Sequence, residues 1–127
     1  MSDLPAAAGV FLGGGVGAVT RWALTRTLDP WDDAAGFPWV TFGINAVGSA
    51  AFGALVVVAR ERPAFWLLSG VGLCGGFTTF STFSGELLRL VDAGRIIAAL
   101  CYACASVVAG FLSVLAAARL AAAAATP

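Results

Sequence analysis

Charged positions are so sparse that they divide the chain into apolar runs: 4–20, extending past Arg21 to 25, then 36–59, 63–85 and 96–118. Each run approaches the roughly 20 apolar residues that carry a helix across a bilayer. None alternates polar with apolar as a membrane barrel strand does. The pattern predicts an all-α membrane protein with four transmembrane helices over 4–27, 37–59, 63–90 and 95–119, in one domain spanning 1–127. Between them lie an acidic loop (Asp29, Pro30, Trp31, Asp32, Asp33), the Arg60-Glu61-Arg62-Pro63 turn and Val91-Asp92-Ala93-Gly94-Arg95. Loops this short make consecutive helices antiparallel neighbours in a bundle. No basic stretch precedes the first run, which reads as a retained helix and not as a cleaved signal. The alanines of 121–125, with Thr126 and Pro127, read as frayed helix or disorder.

Composition sharpens this picture. Of 127 residues, 60% are hydrophobic and 11% charged, whereas a soluble domain spends about a quarter on charge. No soluble catalytic domain fits beside four membrane helices. Seven arginines and seven acids, with no lysine, cancel and lie scattered, so the clustered basic face that nucleic acid requires is missing. With no histidine and no nucleophile–base pair, an enzyme is the least favoured class. Cys74, Cys101 and Cys104 form an odd set inside apolar runs, which excludes a disulfide framework. The Cys101-x-x-Cys104 pair has no basic neighbours and reads as buried packing. Trp22, Trp39 and Trp66 near helix ends, and Trp31 between helices, suit the headgroup layer.

Arginine placement gives no orientation. Arg60, Arg62 and Arg119 fall on one side of the membrane, and Arg21, Arg26, Arg89 and Arg95 on the other. Since arginine and lysine asymmetry sets topology, two possibilities stand. Either copies insert both ways and assemble antiparallel, or a feature other than charge fixes one orientation.

The polar residues inside the runs are spaced for helix faces. Gly9, Gly13 and Gly17 recur every four residues, a pattern that lets another helix backbone approach closely. Thr41, Asn45 and Ser49 make a stripe on the second helix, and Tyr102, Ser106, Gly110 and Ser113 a similar one on the fourth. Taken singly, each stripe is explained by ordinary hydrogen bonding between helices. The third run differs. Residues 70–85 hold five glycines and five hydroxyl side chains, a poor continuous helix, since each glycine costs about 1 kcal/mol against alanine. A break is tolerated at membrane depth only where it is buried in protein or lines a cavity, and its freed carbonyls are ligands for a hard cation such as sodium. Phe80 and Phe83, three residues apart, project to nearly the same side. Their positive ring edges suit a small anion, and core packing suits them equally.

These residues, read together, match a known pattern. Gly14-Gly15-Val16-Gly17-Ala18 followed by Arg21, then Phe37-Pro38 through Thr41, Asn45 and Gly48-Ser49, then Gly75-Gly76-Phe77-Thr78-Thr79-Phe80-Ser81-Thr82-Phe83-Ser84, resemble the Fluc-type fluoride channels of the CrcB family. The match covers nearly the whole chain in order, and the run from Gly75 is its most specific part.

The resemblance implies a passive fluoride-selective channel, multi-pass in the cell membrane, that exports cytoplasmic fluoride. It implies an antiparallel dual-topology homodimer with two pores along the subunit interface and a structural sodium ion at the dimer centre. By motif position, the carbonyls of Gly75 and Thr78 would hold that ion. Asn45, Phe80 and Phe83 would face fluoride, with Thr79, Ser81 and Thr82 in the polar track, Tyr102 and Ser106 on the fourth helix, and Arg21 near a vestibule. Glu86 matches a family carboxylate after the phenylalanines, and Gly110 stands where some members carry a hydroxyl. Two other classes compete: a small dual-topology multidrug exporter, which needs a titratable carboxylate at mid-membrane, and a non-transporting membrane assembly subunit.

Overall fold

A computed structural model describes residues 3–126, with the backbone course alone for 29–35. The chain is helical throughout. Helix α1 spans Leu4–Ala35 and α2 Trp39–Val58; the third crossing, Pro63–Asp92, is built from α3 (Pro63–Trp66), a π-helical stretch Leu67–Cys74, α4 (Gly75–Phe77) and α5 (Phe80–Asp92); α6 spans Ile96–Ala125. Four segments, Leu4–Leu28, Trp39–Val58, Pro63–Asp92 and Ile96–Ala125, are long and apolar enough to cross a membrane.

Two helix ends lie well beyond their expected positions. Helix α1 continues through the acidic segment expected as a loop. It stops at Gly36, whose φ of +65° is the left-handed conformation that ends helices and that only glycine adopts cheaply. The side chain of Trp31 lies outside the described residues. At the other terminus α6 runs to Ala125, so the tail expected to fray is helix. Alanine is the best helix former and loses no side-chain entropy on joining one.

Sequential helices are antiparallel, and the closest packing joins alternate ones. Helix α1 runs along the third crossing with backbone on backbone: a side chain at Gly13 would strike the Leu68 carbonyl, and one at Gly17 the Leu73 carbonyl. On the other side of the bundle α2 runs beside α6, and a side chain at Gly53 would strike the Val114 carbonyl. The small residues remove the bulk that would separate the axes, as expected where helices associate in lipid. Phe83, Leu90, Ala99 and Tyr102 form the buried centre, with Phe37 and Phe42 against it. The rest of the surface is apolar, with at most 28% of any spanning segment buried. Cys101 and Cys104 are exposed on it, so the buried packing expected of them does not occur within one chain; they belong to the outward face of α6.

Candidate functional site

The third crossing breaks at Thr78 and Thr79, which are extended (φ/ψ −78°/159° and −150°/120°) between two helical stretches. Glycine weakens the helix there, and side chains from outside complete the rupture. The Thr79 N–H, which a continuous helix would give to the Gly75 carbonyl, goes to Asn45 Oδ1 at 2.8 Å, while Asn45 Nδ2 donates to the Thr79 carbonyl at 3.1 Å. The Thr82 N–H, which would serve the Thr78 carbonyl, goes to Thr79 Oγ1 at 3.2 Å as the N-cap of α5. One asparagine thus replaces a helical bond from α2, and one threonine starts the next helix. The Gly75, Phe77 and Thr78 carbonyls lose their helical partners at the break, while the Gly76 carbonyl accepts from Arg21. Neutral oxygens freed from a helix are a donor set suited to a hard, weakly charged cation.

Beside the break lies a cavity of about 250 Å³ lined by Asn45, Ser49, Thr78, Thr79, Phe80, Phe83, Ser106, Val107 and Gly110. Its polar atoms come from α2, the break and α6, and its apolar wall from α5. Ser106 Oγ is sealed from solvent and makes no hydrogen bond. A buried hydroxyl without a partner costs about 1–3 kcal/mol, and Ser106 carries that cost in the wall of this cavity. Phe80 and Phe83 meet with ring centroids 5.6 Å apart and planes tilted by 44°. Phe83 is buried and Phe80 is 79% exposed, so the pair runs from the core to the outer face of the chain.

Of the residues proposed for the pore, Asn45, Thr79, Phe80, Phe83 and Ser106 meet at this cavity. Three others stand outside its lining. Ser81 and Thr82 gather on the Thr79 hydroxyl at 3.3 and 3.1 Å. Tyr102 packs its ring on Phe83 at 5.1 Å and donates its hydroxyl to Glu86 Oε2 at 2.6 Å. Thr41 donates to Glu86 Oε1, also at 2.6 Å. This buried carboxylate therefore has a hydroxyl on each oxygen, and the exposed Arg89 guanidinium lies 3.8 Å from Oε1. Arg21 reaches inward, its Nε donating to the Gly76 carbonyl at 3.2 Å, and so ties α1 to the break. Ser49 and Thr41 are further polar members of this region. Their signal in the sequence was the stripe they share with Asn45, but a stripe does not show what it faces.

Four membrane-capable helices, a crossing broken at glycine and hydroxyl residues, and a cavity lined by amide, hydroxyl and phenyl side chains define a small multi-pass membrane protein with a polar site inside its bundle. Residues 8–118 match the model of the family described as CrcB-like protein, Camphor Resistance (CrcB). The chain belongs to the CrcB family. It is 44% identical over 118 residues to fluoride-specific ion channel FluC 1 of Streptomyces coelicolor, covering 89% of this chain and 75% of that protein. It is 47% identical over 112 residues to the fluoride-specific ion channel FluC of Novosphingobium aromaticivorans (84% and 88% covered). The FluC of Phocaeicola vulgatus is 39% identical over 109 residues (84% and 89% covered). These relatives are named as channels and not as enzymes.

Proposed function

We propose that this chain forms a passive fluoride channel of the cell membrane through which cytoplasmic fluoride leaves. The observation that carries the reading is the cavity at the break, where the unpartnered Ser106 hydroxyl, the Asn45 amide and the Phe80–Phe83 ring pair converge, in a chain whose relatives are named for fluoride. Fluoride is small and strongly hydrated, and a pore that strips its water must return hydrogen bonds. Hydroxyl and amide groups supply them, and phenyl edges add positive potential without a fixed charge that would trap the ion. The carboxylate of Glu86 is occupied by the hydroxyls of Thr41 and Tyr102, which does not suit a proton-coupled exporter. No energy source is required: an inside-negative potential of 100 mV drives each anion outward with about 2.3 kcal/mol.

The working unit in this reading is a dimer of oppositely inserted copies. Balanced arginines leave both orientations open, and the exposed Phe80 ring needs a second chain beside it to enclose an ion path. The Gly75 and Thr78 carbonyls would hold a sodium ion together with those of the second copy. When bound, the ion supplies a buried positive charge that joins the two breaks. Arg21, seated on the Gly76 carbonyl, lends positive potential near the same level.

The deciding experiment is fluoride efflux, read with a fluoride electrode, from liposomes containing only this purified protein. Efflux with chloride excluded is the expected result, and silence from folded protein overturns the reading. A second measurement tests the antiparallel dimer. With three arginines added at 60–62, the chain should be locked in one orientation and fail to protect fluoride-challenged cells when expressed alone. An oppositely locked copy should restore protection, and protection by one locked form alone would refute the assembly.

A further inference from the structure

Helices α2 and α6 lie side by side in a constant register, so that each residue of the α2 stripe stands level with the residue 61 positions later on α6. Thr41 and Tyr102 meet on the two oxygens of Glu86. One turn further, Asn45 and Ser106 face the same cavity. At the next turn Ser49 stands against Gly110: a Cβ added to Gly110 would lie 3.6 Å from Ser49 Oγ. At the fourth level the side-chain space vanishes, because Gly53 lies directly on the Val114 backbone. The cavity therefore ends just past Ser49 and Gly110.

The Ser49 hydroxyl is also chemically conspicuous. Helical serines and threonines ordinarily return their hydroxyl to the carbonyl four residues back. Ser69, Ser84, Thr20 and Thr27 all do so here, on Phe65, Phe80, Val16 and Ala23. Ser49 makes no such bond and no other among the described residues, a condition shared on α6 by Ser106 and by Ser113, of which Ser106 lines the same cavity as Ser49. Ser106 enters it from α6 and Ser49 from α2, the latter over the space that a side chain at Gly110 would take.

We propose that Ser49 is a further fluoride-contacting residue, the hydroxyl donor at the closed end of the cavity, supplied by α2 at the level where α6 carries glycine. The proposal rests on the channel reading above. The glycine and the serine form a complementary pair: one leaves room for the ion, and the other donates to it. A donor on either helix should therefore serve, provided the other helix leaves the space.

The test is fluoride efflux from liposomes carrying wild type, Ser49→Ala, Ser106→Ala and the double variant Ser49→Ala/Gly110→Ser, with melting temperature and dimer elution measured on each. Ser49→Ala should slow efflux about tenfold, as expected for one lost hydrogen bond to a charged group, with melting unchanged. In the double variant the hydroxyl returns from α6, and efflux should recover to near the wild-type rate. Wild-type efflux in Ser49→Ala alongside slowed efflux in Ser106→Ala would overturn the proposal, as would a loss in folded Ser49→Ala that Gly110→Ser does not restore. A silent wild type would instead overturn the channel reading itself, so the two failures are distinguishable.

Discussion

Two pairs of parallel helices hold this bundle together, and they treat the same problem differently. Between α1 and the third crossing, glycines recur on both sides: Gly13 and Gly17 face the Leu68 and Leu73 carbonyls, and Gly72 and Gly76 face the backbone at Val10 and Gly14. The two backbones touch at these positions, and the space of about 200 Å³ beside them, shared with α2, is lined mostly by apolar and small residues. Between α2 and α6 only Gly53 is pressed onto its neighbour in this way. Toward the other end, hydroxyl and amide side chains take the positions where glycine would close the gap, and the cavity opens there. In lipid, where apolar burial does not drive helices together, van der Waals contact must do so. A bundle can therefore keep a polar cavity between one pair of helices when another pair is packed without one.

The contrast predicts effects that differ by interface. The largest belongs to the pair joined backbone to backbone. Gly17→Leu drives a side chain into the Leu73 carbonyl and the Phe77 amide, and backbone cannot move aside as a rotamer can. Overpacking costs about 1–3 kcal/mol even where a core has some give; here the expected outcome is loss of folded, membrane-inserted protein, read as recovery from detergent and thermal melting. At the cavity, substitutions should instead spare folding and remove transport. Phe80→Ile and Phe83→Ile retain bulk but lose the ring edge, so efflux should collapse in protein that still folds and melts as the wild type does. Normal efflux in both would remove the ring-edge mechanism. Asn45→Asp belongs to both categories, since it places charge in the wall of the proposed anion path and removes the donor to the Thr79 carbonyl. It should abolish efflux and lower the melting temperature.

A smaller effect is expected at the carboxylate. Tyr102→Phe retains the ring on Phe83 but leaves Glu86 Oε2 without its hydroxyl, in a site where Glu86 is only 6% exposed. An unsatisfied buried partner costs about 1–3 kcal/mol, which chemical or thermal denaturation in detergent should register. The smallest effect calibrates the first: Gly15 points into open space, so Gly15→Ala should leave melting and efflux unchanged within error. A marked loss there would show that helix α1 is covered on a face that the single chain leaves open.

The number of crossings, the position of the break and the two polar stripes were legible in the amino-acid sequence because they are local. Apolar length counts helices, paired glycines beside hydroxyls weaken one, and a four-residue spacing puts Thr41, Asn45 and Ser49 on one face. What lies opposite that face is not local. Only the tertiary structure decided that Asn45 caps the break in place of a helical bond, that Glu86 holds Thr41 and Tyr102, that Arg21 turns inward to Gly76, and that Cys101 and Cys104 point away from the bundle. The π-helical stretch Leu67–Cys74 had no signal of its own and forms where α1 is pressed against the crossing. Ser49 shows the limit most clearly. Its spacing placed it on the stripe, but its opposition to Gly110 depends on a register between helices 61 residues apart in the chain, the same register that brings Gly53 onto the Val114 backbone.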